Sequence, residues 1–272
     1  MFAEIHGHQL FYEDIGSPQA PPLVFLHGMS FSHRMWRHQI AAVSEHYRVL
    51  LVDLRGHGQS QVGDGQYTQK IFVEDLIGLL DTLRIHRVTL CGLSLGAAVA
   101  MRTALDHPER VGGLILSNTR ADGDDYEDIV WRERVIVRIK QLGIGRFVET
   151  FLRTVFARPS FVTRKEEIQI IRETMEQMAP LAMCGALLAQ AARPNLVPRL
   201  FRIKIPTLVL AGELDTFTPP SLAETIHDGI AGSMLRYIPH SAHMSPLENP
   251  DEFNKFLLEF LPLTHDHQLG KS

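Results

Sequence analysis

The chain has 272 residues, of which 45% are hydrophobic and 21% are charged, and its formal net charge is -4. This composition is typical of a globular protein with a full core, and the absence of a basic surplus argues against nucleic acid or an anionic membrane as a partner. Two cysteines provide no disulfide framework, and the N-terminus lacks the layout of a signal peptide. We therefore expect a cytoplasmic protein that is a monomer or a small homo-oligomer.

Short apolar runs alternate with helical patterns along the chain. Residues 9–14 are predicted to form an early antiparallel strand, and residues 235–238 form the last predicted strand. Nearly unbroken apolar runs lie between them at residues 23–26, 49–52, 88–91, 114–116 and 207–211. Unbroken hydrophobicity is typical of strands buried on both faces of a parallel sheet. Helical patterns at residues 35–46, 68–83 and 95–107 complete the alternation, which predicts an α/β fold.

This alternation breaks after Ser117. The sequence then shows only helical patterns, at residues 127–142, 146–156, 163–178 and 181–191. Four helices between two strands of one sheet predict an inserted helical cap over the carboxyl edge of the sheet, with plain crossover helices as the alternative. We therefore predict a core of residues 1–120 and 201–264, a cap of residues 121–200, and a loose tail of residues 265–272.

One motif falls at a predicted junction between strand and helix. The segment Gly92-Leu93-Ser94-Leu95-Gly96 matches the pattern G-x-S-x-G. A sharp turn at this place would hold the serine in a strained backbone conformation, and the two glycines would remove the clashes that a Cβ makes. The helix that follows would direct its positive N-terminal end toward a developing oxyanion. We predict that Ser94 is a catalytic nucleophile, with a merely tight turn as the alternative.

A serine hydroxyl needs a neighbouring base before it is an effective nucleophile, and the base needs an acid to orient it. In α/β folds with this motif, the acid and then the histidine follow the serine along the chain. Asp215 comes just after the predicted strand at residues 207–211, at the carboxyl edge of the sheet. We predict Asp215 as the acid and interpret its rival, Glu213, as part of the turn.

Two histidines follow the last predicted strand. His243 stands shortly before a helix whose start is indicated by Asn249 as the N-cap and Pro250 as the first helical residue. A histidine on a loop anchored in this way is well placed to act as the base. We therefore predict His243 as the base and interpret His240 as a solvated loop residue.

The tetrahedral intermediate of acyl transfer also needs hydrogen-bond donors for its oxyanion. We expect these donors to be the backbone N–H groups of Leu95, next to the nucleophile, and of Met29, in the loop after residues 23–26. Within that loop, the His27 side chain is expected to have a structural role. The residues expected to line the substrate pocket are Gly28, Trp131, Phe217 and Met244. Packing inside the cap is an equal alternative for Trp131.

Other features are better explained as structure than as chemistry. The segment Gly56-His57-Gly58 lacks the third glycine of a nucleotide-binding loop. The acidic segment at residues 122–125 fails the calcium-loop pattern, and we interpret it as a solvated hinge into the cap. The fourteen histidines contain no H-E-x-x-H motif, so we expect no metal, and no cofactor is required.

Together these motifs resemble the α/β-hydrolase fold family over about residues 9–262. The segments that carry the resemblance are His27-Gly28, residues 53–60, the Ser94 turn, and the surroundings of Asp215 and His243. Within the family, the chain looks most like small carboxylesterases, 3-oxoadipate enol-lactonases and haloperoxidase-like esterases. Ala97 and Ala242 depart by one methyl group from glycines common in that branch. The resemblance implies a mostly parallel eight-stranded sheet and the oxyanion role of Met29 and Leu95, and it names no substrate.

The predicted reaction is the hydrolysis of a small-molecule ester by water through an acyl-enzyme on Ser94. Lactone opening or cleavage of a carbon–carbon bond by the same three residues is an alternative, and so is a ligand receptor with slow turnover. A dehalogenase or epoxide hydrolase is disfavoured, because such enzymes resemble proteins with an aspartate in place of Ser94.

Overall fold

A computed structural model describes residues 1–264 of the chain. Eight strands form one sheet, in the order β1-β2-β4-β3-β5-β6-β7-β8. In chain order these strands are β1 (Phe2–Ile5), β2 (His8–Ile15), β3 (Pro22–Leu26), β4 (Arg48–Val52), β5 (Val88–Leu93), β6 (Val111–Ser117), β7 (Thr207–Gly212) and β8 (Met234–Ile238). The pairs β1–β2 and β2–β4 are antiparallel, and every other neighbouring pair is parallel. The predicted α/β class and the mostly parallel sheet are confirmed.

Eleven α-helices accompany the sheet within the described residues. Helices α1 (Arg37–Val43), α2 (Gln69–Thr82) and α3 (Leu95–Asp106) come before β6. Helices α4 (Tyr126–Leu142), α5 (Gly145–Val155), α6 (Ser160–Thr163), α7 (Lys165–Glu176) and α8 (Pro180–Ala191) come between β6 and β7. Helices α9 (Pro220–Gly229), α10 (Ser245–Glu248) and α11 (Pro250–Phe260) complete the set. Within residues 1–264, no helix is long and apolar enough to span a bilayer.

The boundaries differ from the sequence prediction where local geometry overrides hydrophobic periodicity. The early strand is one half of a hairpin, because His6 and Gly7 adopt φ values of 50° and 75° and turn the chain back on itself. The helix predicted at residues 35–46 begins with a 3-10 turn, which the Ser32 hydroxyl caps. The helix predicted at residues 163–178 starts later, as α7, because Arg164 has a non-helical backbone conformation that separates it from the short α6. The predicted tail at residues 265–272 lies outside the described residues.

The central strands are buried along their whole length, as the unbroken apolar runs predict. Every residue of β5, β6 and β7 is buried. Because β3 and β5 to β8 are parallel neighbours in register, their carboxyl ends meet at one edge of the sheet. The segments that leave this edge carry Met29, Ser94, Asn118, Asp215 and His243. The sheet therefore gathers side chains and backbone groups that are far apart in the sequence.

The helices α4 to α8 stand where the sequence analysis places a cap. Helix α4 begins with a reciprocal capping box between Asp125 and Asp128, which fixes its start. Helices α4 and α8 contact each other, and so do α5 and α7. The domain limits of 121–200 for the cap stay a prediction.

Candidate active site

Ser94 lies at the turn between β5 and α3 with a φ of 54° and a ψ of -111°. This left-handed conformation is costly for a residue with a Cβ and persists only when its surroundings impose it. The Ser94 N–H donates to the Ser117 carbonyl oxygen at 3.0 Å, and the Thr119 hydroxyl donates to the Ser94 carbonyl oxygen at 2.9 Å. Neighbouring β6 and the residues after it thus hold the strained turn in place.

The two glycines of the motif are required by close packing. A Cβ at Gly92 would overlap the backbone at the start of α3, and a Cβ at Gly96 would overlap the carbonyl oxygen of Leu26. The helix therefore begins directly against the ends of β3 and β5. Its N-terminal end, with its partial positive charge, lies beside the Ser94 side chain.

Asp215 and His243 form a buried pair near Ser94. Nδ1 of His243 lies 2.8 Å from Oδ2 of Asp215. The other carboxylate oxygen, Oδ1, accepts the backbone N–H groups of Phe217 at 2.8 Å and Thr218 at 2.9 Å. These bonds fix the carboxylate, which in turn fixes the imidazole ring.

Two polar residues that the sequence analysis missed complete this network. The Thr218 hydroxyl donates to Oδ2 of Asp215 at 2.6 Å, and it lies 3.0 Å from Nδ1 of His243. Asn118, with a φ of 47°, donates from Nδ2 to Asp215 Oδ2 at 2.9 Å and to the Ala242 carbonyl oxygen at 3.1 Å. The position of Asn118 just after a buried strand places it at this edge of the sheet, but no sequence motif marks it.

The surroundings of Asp215 keep it ionised. Burial by itself would raise the pKa of its carboxyl group. The nearby imidazole of His243 and the hydrogen bonds from His243, Thr218 and Asn118 outweigh burial, and the pKa of Asp215 is lowered to about 2. The carboxylate is therefore negative at neutral pH, as a group that stabilises an imidazolium must be.

The rival acid and base stand apart from this network. Glu213 is exposed, and so is His240, which has a φ of 59° at the turn after β8. Neither lies with Ser94 at the cavity described below. Asp215 and His243 are the pair that the fold brings together.

The two backbone N–H groups that the sequence analysis predicts as oxyanion donors belong to Leu95, the first residue of α3, and Met29, in the loop after β3. Neither N–H donates a hydrogen bond to another group within the described residues. The first N–H groups of a helix have no partner inside the helix, which accounts for Leu95. Met29 lines the cavity described below, and the oxyanion role of both groups stays a prediction.

Ser94 and His243 open onto one cavity, together with Met29, Phe31, Phe217 and Thr119. Its empty space of about 540 Å³ includes the part that is open to solvent. The lining also includes charged residues from the segment between β6 and β7, namely Arg120, Asp128, Arg132 and Arg193. The cavity therefore combines Ser94 with charged groups that the sequence analysis did not predict.

A second cavity adjoins the first, since both are lined by Asp128, Arg132, Phe151 and Phe217. Trp131 lines only this second cavity, with its ring centroid 6.5 Å from that of Phe217. Of the predicted pocket residues, Phe217 thus lies at the first cavity and Trp131 at the second.

The other two predicted pocket residues, Gly28 and Met244, lie in the packed interior next to the cavities. A Cβ at Gly28 would meet the side chains of Leu93 and Phe31, so this glycine permits close packing. Met244 is fully buried, and its N–H donates to the Val155 carbonyl oxygen at 3.2 Å. Neither lines the two cavities in the described part of the chain.

The acidic segment at residues 122–125 is not a solvated hinge, contrary to the sequence interpretation. The Asp124 side chain is fully buried and contacts the guanidinium groups of Arg132 and Arg193. Asp122 pairs with Arg120 at 2.6 Å. Arg193 is distant in the sequence, so local composition could not reveal that Asp124 lies buried between two arginines.

Glu248 joins the inserted helices to the loop that carries His243. Its Oε1 accepts the Ala157 N–H at 2.7 Å and the Ser160 hydroxyl at 2.6 Å. Its Oε2 accepts the Ala242 N–H at 2.8 Å. One buried carboxylate therefore fixes the residue before His243 relative to the segment between α5 and α6.

Comparisons with known proteins agree with this fold. A family model for the alpha/beta hydrolase fold matches residues 21–250. The chain is 30% identical over 250 residues to 3-oxoadipate enol-lactonase 2 of Acinetobacter baylyi, which covers 90% of each chain. A malate-bound thermophilic esterase from Thermogutta terrifontis is similar in structure, with a TM-score of 0.92, 31% identity, and coverage of 97% of this chain and 98% of that one. The enol-lactonase from Burkholderia xenovorans LB400 has a TM-score of 0.91, 30% identity, and coverage of 96% and 100%.

Proposed function

Because the chain belongs to the alpha/beta hydrolase fold family, we propose that it is a serine hydrolase that cleaves a small carboxylic ester or lactone. The observation that carries the proposal is the placement of Ser94 and His243 at one cavity, with Asp215 hydrogen-bonded to the far side of the imidazole. The esterase and enol-lactonase relatives support the choice of an acyl group as the target.

The first step is the formation of an acyl-enzyme. Ser94 Oγ attacks the carbonyl carbon while His243 accepts its proton, and the negative charge of Asp215 stabilises the resulting imidazolium. The N–H groups of Leu95 and Met29 bind the oxyanion of the tetrahedral intermediate. A single donor of this kind contributes about 3–4 kcal/mol to lowering the barrier in related enzymes.

The acyl-enzyme is complete when His243 gives its proton to the leaving alkoxide, which departs as an alcohol or, for a lactone, stays attached as a hydroxyl group. The second step regenerates the enzyme. Water attacks the acyl carbon as His243 removes its proton, and when the bond to Ser94 Oγ breaks, His243 returns that proton to Oγ. In this proposal the residues of the chain and water suffice. A cytoplasmic location stays a prediction from the cysteine content.

The decisive test is Ser94→Ala, measured with a series of short aryl esters and lactones. We expect kcat to fall by about 10⁴–10⁶-fold, because the other triad members have nothing to activate. A serine-directed phosphonate should label wild-type protein on the peptide that contains Ser94. Near-wild-type turnover by the alanine variant would refute the proposal. Turnover below about one per minute on every ester and lactone, with tight ligand binding, would favour a receptor instead.

A further inference from the structure

Asn118 contacts both the acid and the loop that carries the base. Its Nδ2 donates to Oδ2 of Asp215 at 2.9 Å and to the Ala242 carbonyl oxygen at 3.1 Å. Ala242 directly precedes His243 in the chain, so a single amide group links the two segments. Asn118 itself is buried and lines neither cavity in the described part of the chain. Any influence on the reaction must therefore pass through the groups that Asn118 holds.

The hydrogen bonds of Asn118 determine which end of its amide faces the acid. The Asp215 carboxylate and the Ala242 carbonyl group can only accept hydrogen bonds, so the NH₂ end must face them. The Oδ1 end accepts the hydroxyl groups of Ser117 at 2.7 Å and Ser245 at 2.6 Å. Both N–H bonds and both lone pairs of the amide are thus used. A side chain whose polar groups are all satisfied holds one orientation.

The backbone conformation of Asn118 narrows the choice of side chain further. Its φ of 47° lies in the left-handed region, and its N–H donates to the Leu210 carbonyl oxygen of β7 at 2.9 Å. The residues most common at such a φ are glycine, asparagine, aspartate and histidine. Of these four, only asparagine supplies two donors and an acceptor without a net charge. The backbone and the hydrogen bonds therefore both call for asparagine at this position.

We propose that Asn118 is a positioning residue of the proposed hydrolase, because it holds the acid and the base in line with each other. This inference rests on the proposed function. The oxygen of Asp215 that accepts from Asn118, Oδ2, also lies 2.8 Å from Nδ1 of His243. A displacement of the carboxylate or of the loop at Ala242 would change this distance, and catalytic geometry tolerates an error of about 0.5 Å. Asn118 thus acts through the acid and the base without touching the substrate.

Titratable side chains face this junction from both sides. Asp215 and His243 lie on one side of Asn118, and Glu248 accepts the Ala242 N–H at 2.8 Å on the other. The hydrogen bond from Asn118 is one of those that lower the pKa of Asp215. A neutral amide supports the negative charge of Asp215 without adding a second charge, whereas a carboxyl group in its place would compete for that charge.

The first test is Asn118→Asp, which keeps the shape of the side chain and an oxygen in place of Oδ1. Its new carboxyl group stands within hydrogen-bond distance of Asp215, and two such groups ionise together only against their mutual repulsion. While the two share a proton, an O–H can replace the lost N–H as a donor, and that proton leaves as the pH rises. We expect kcat at neutral pH to fall by about 10–100-fold, with KM within about twofold of wild type. Steady-state kinetics across the neutral range should show a loss that grows with pH.

The matched control is Asn254→Asp. Asn254 on α11 donates to the His38 carbonyl oxygen at 2.9 Å and accepts from the Gln39 side chain at 3.0 Å. It contributes to neither cavity among residues 1–264, so this change removes a similar donor without reaching the acid or the base. Its kcat and pH profile should match wild type. Wild-type kcat in Asn118→Asp at every pH, or the same change in both variants, would overturn the proposal.

A second variant separates positioning from general damage to the fold. Asn118→Gly suits the left-handed φ and removes every side-chain bond of this residue. Alone it should lower kcat by about 10–100-fold, and added to Asp215→Ala it should lower kcat by less than about threefold, because the acid that it aligns is already gone. Equal losses in the two backgrounds would reject the proposal. If neither Asn118 variant folds, Ser245→Ala loosens the amide from outside and should lower kcat several-fold at unchanged KM; wild-type kcat there would count against the proposal.

A measurement without substrate separates this inference from the proposed reaction. The Nδ1 proton of His243, bonded to a carboxylate, should give a strongly downfield proton NMR signal, which Asp215→Ala identifies by its loss. The signal should shift or broaden in Asn118→Gly and stay in place in Asn254→Asp. An unchanged signal in Asn118→Gly would overturn the proposal whether or not an ester is cleaved. A changed signal with no ester hydrolysis by wild-type protein would reject the proposed function and keep the alignment of acid and base by Asn118.

Discussion

The carboxyl edge of the sheet, which we call the sheet side, and the helices between β6 and β7, which we call the helical side, differ in how their polar groups are satisfied. On the sheet side, Asp215 accepts bonds from two backbone N–H groups, two side chains and the imidazole of His243. On the helical side, Arg132 and Arg193 retain donors with no acceptor in the described residues. A fully bonded network holds a single geometry. We infer that the sheet edge sets the chemistry proposed above.

The largest expected effect tests the sheet side. Asp215→Asn keeps the shape of the side chain but removes its charge. It also replaces one carboxylate oxygen, which accepts hydrogen bonds, with an NH₂ group, which donates them. We expect kcat to fall by about 10⁴-fold, because the imidazolium loses its stabilising partner and its ring orientation. Steady-state kinetics on any ester that wild-type protein cleaves provides the measurement. A loss below tenfold would mean that the sheet edge does not set the chemistry.

The Asp215→Asn variant should also change how the free energy of unfolding depends on pH. The pKa of Asp215 is lowered to about 2 in the folded protein, so its ionised form favours folding above the ordinary aspartate pKa of about 3.9. That contribution, about 2 kcal/mol, should be lost as pH falls from about 5 to 2. Urea unfolding of wild-type protein should show this loss, and the Asp215→Asn variant should lack this part of it.

A smaller effect tests the connection between the two sides. In Glu248→Gln, the amide NH₂ would face a donor in place of one carboxylate oxygen, either Ala242 N–H or the groups of Ala157 and Ser160. We expect about 2 kcal/mol less stability against urea, and a several-fold lower kcat because Ala242 adjoins His243. Glu259→Gln, at an exposed position of α11, is the matched control. Unchanged stability and kcat in Glu248→Gln would show that the two sides are independent.

The smallest effect concerns the outer surface of the inserted helices. Arg37 and Glu166 form an ion pair at 2.7 Å, but their side chains are 38% and 72% exposed. Exposed pairs contribute about 0–1 kcal/mol. Arg37→Ala should therefore change the free energy of unfolding by less than about 0.5 kcal/mol and leave kcat as it is. A larger loss would assign this surface pair a structural importance that its exposure does not suggest.

The same contrast explains what the sequence could predict. Ser94, Asp215 and His243 each follow a buried strand, and the order of strands places them together, so motif and periodicity suffice to propose them. Asn118 follows β6 in the same way, but a single asparagine after a strand matches no motif. Its role depends on a left-handed φ and on the distance to Asp215, which only the folded chain defines.

The helical side was harder to predict. Periodicity located four helices at residues 127–142, 146–156, 163–178 and 181–191, close to α4, α5, α7 and α8. It could not pair Asp124 with Arg193, which lies 69 residues later, because that contact depends on how the helices pack. From the sequence alone, the acidic segment at residues 122–125 is interpreted as a surface hinge. In the folded chain, the Asp124 side chain of this segment is buried between Arg132 and Arg193.

The bonds of Glu248 also bear on how such proteins change over evolutionary time. A set of inserted helices can be exchanged between related chains as a unit only if the joints with the remaining fold are compatible. Here one joint is a single carboxylate that accepts from Ala157 and Ser160 on one side and from Ala242 on the other. In a transplanted insertion that lacks a hydroxyl and a free N–H at these two places, Glu248 Oε1 would lose its hydrogen-bond donors next to the loop that carries His243. Successful grafts should therefore carry residues 157–160 along with the helices.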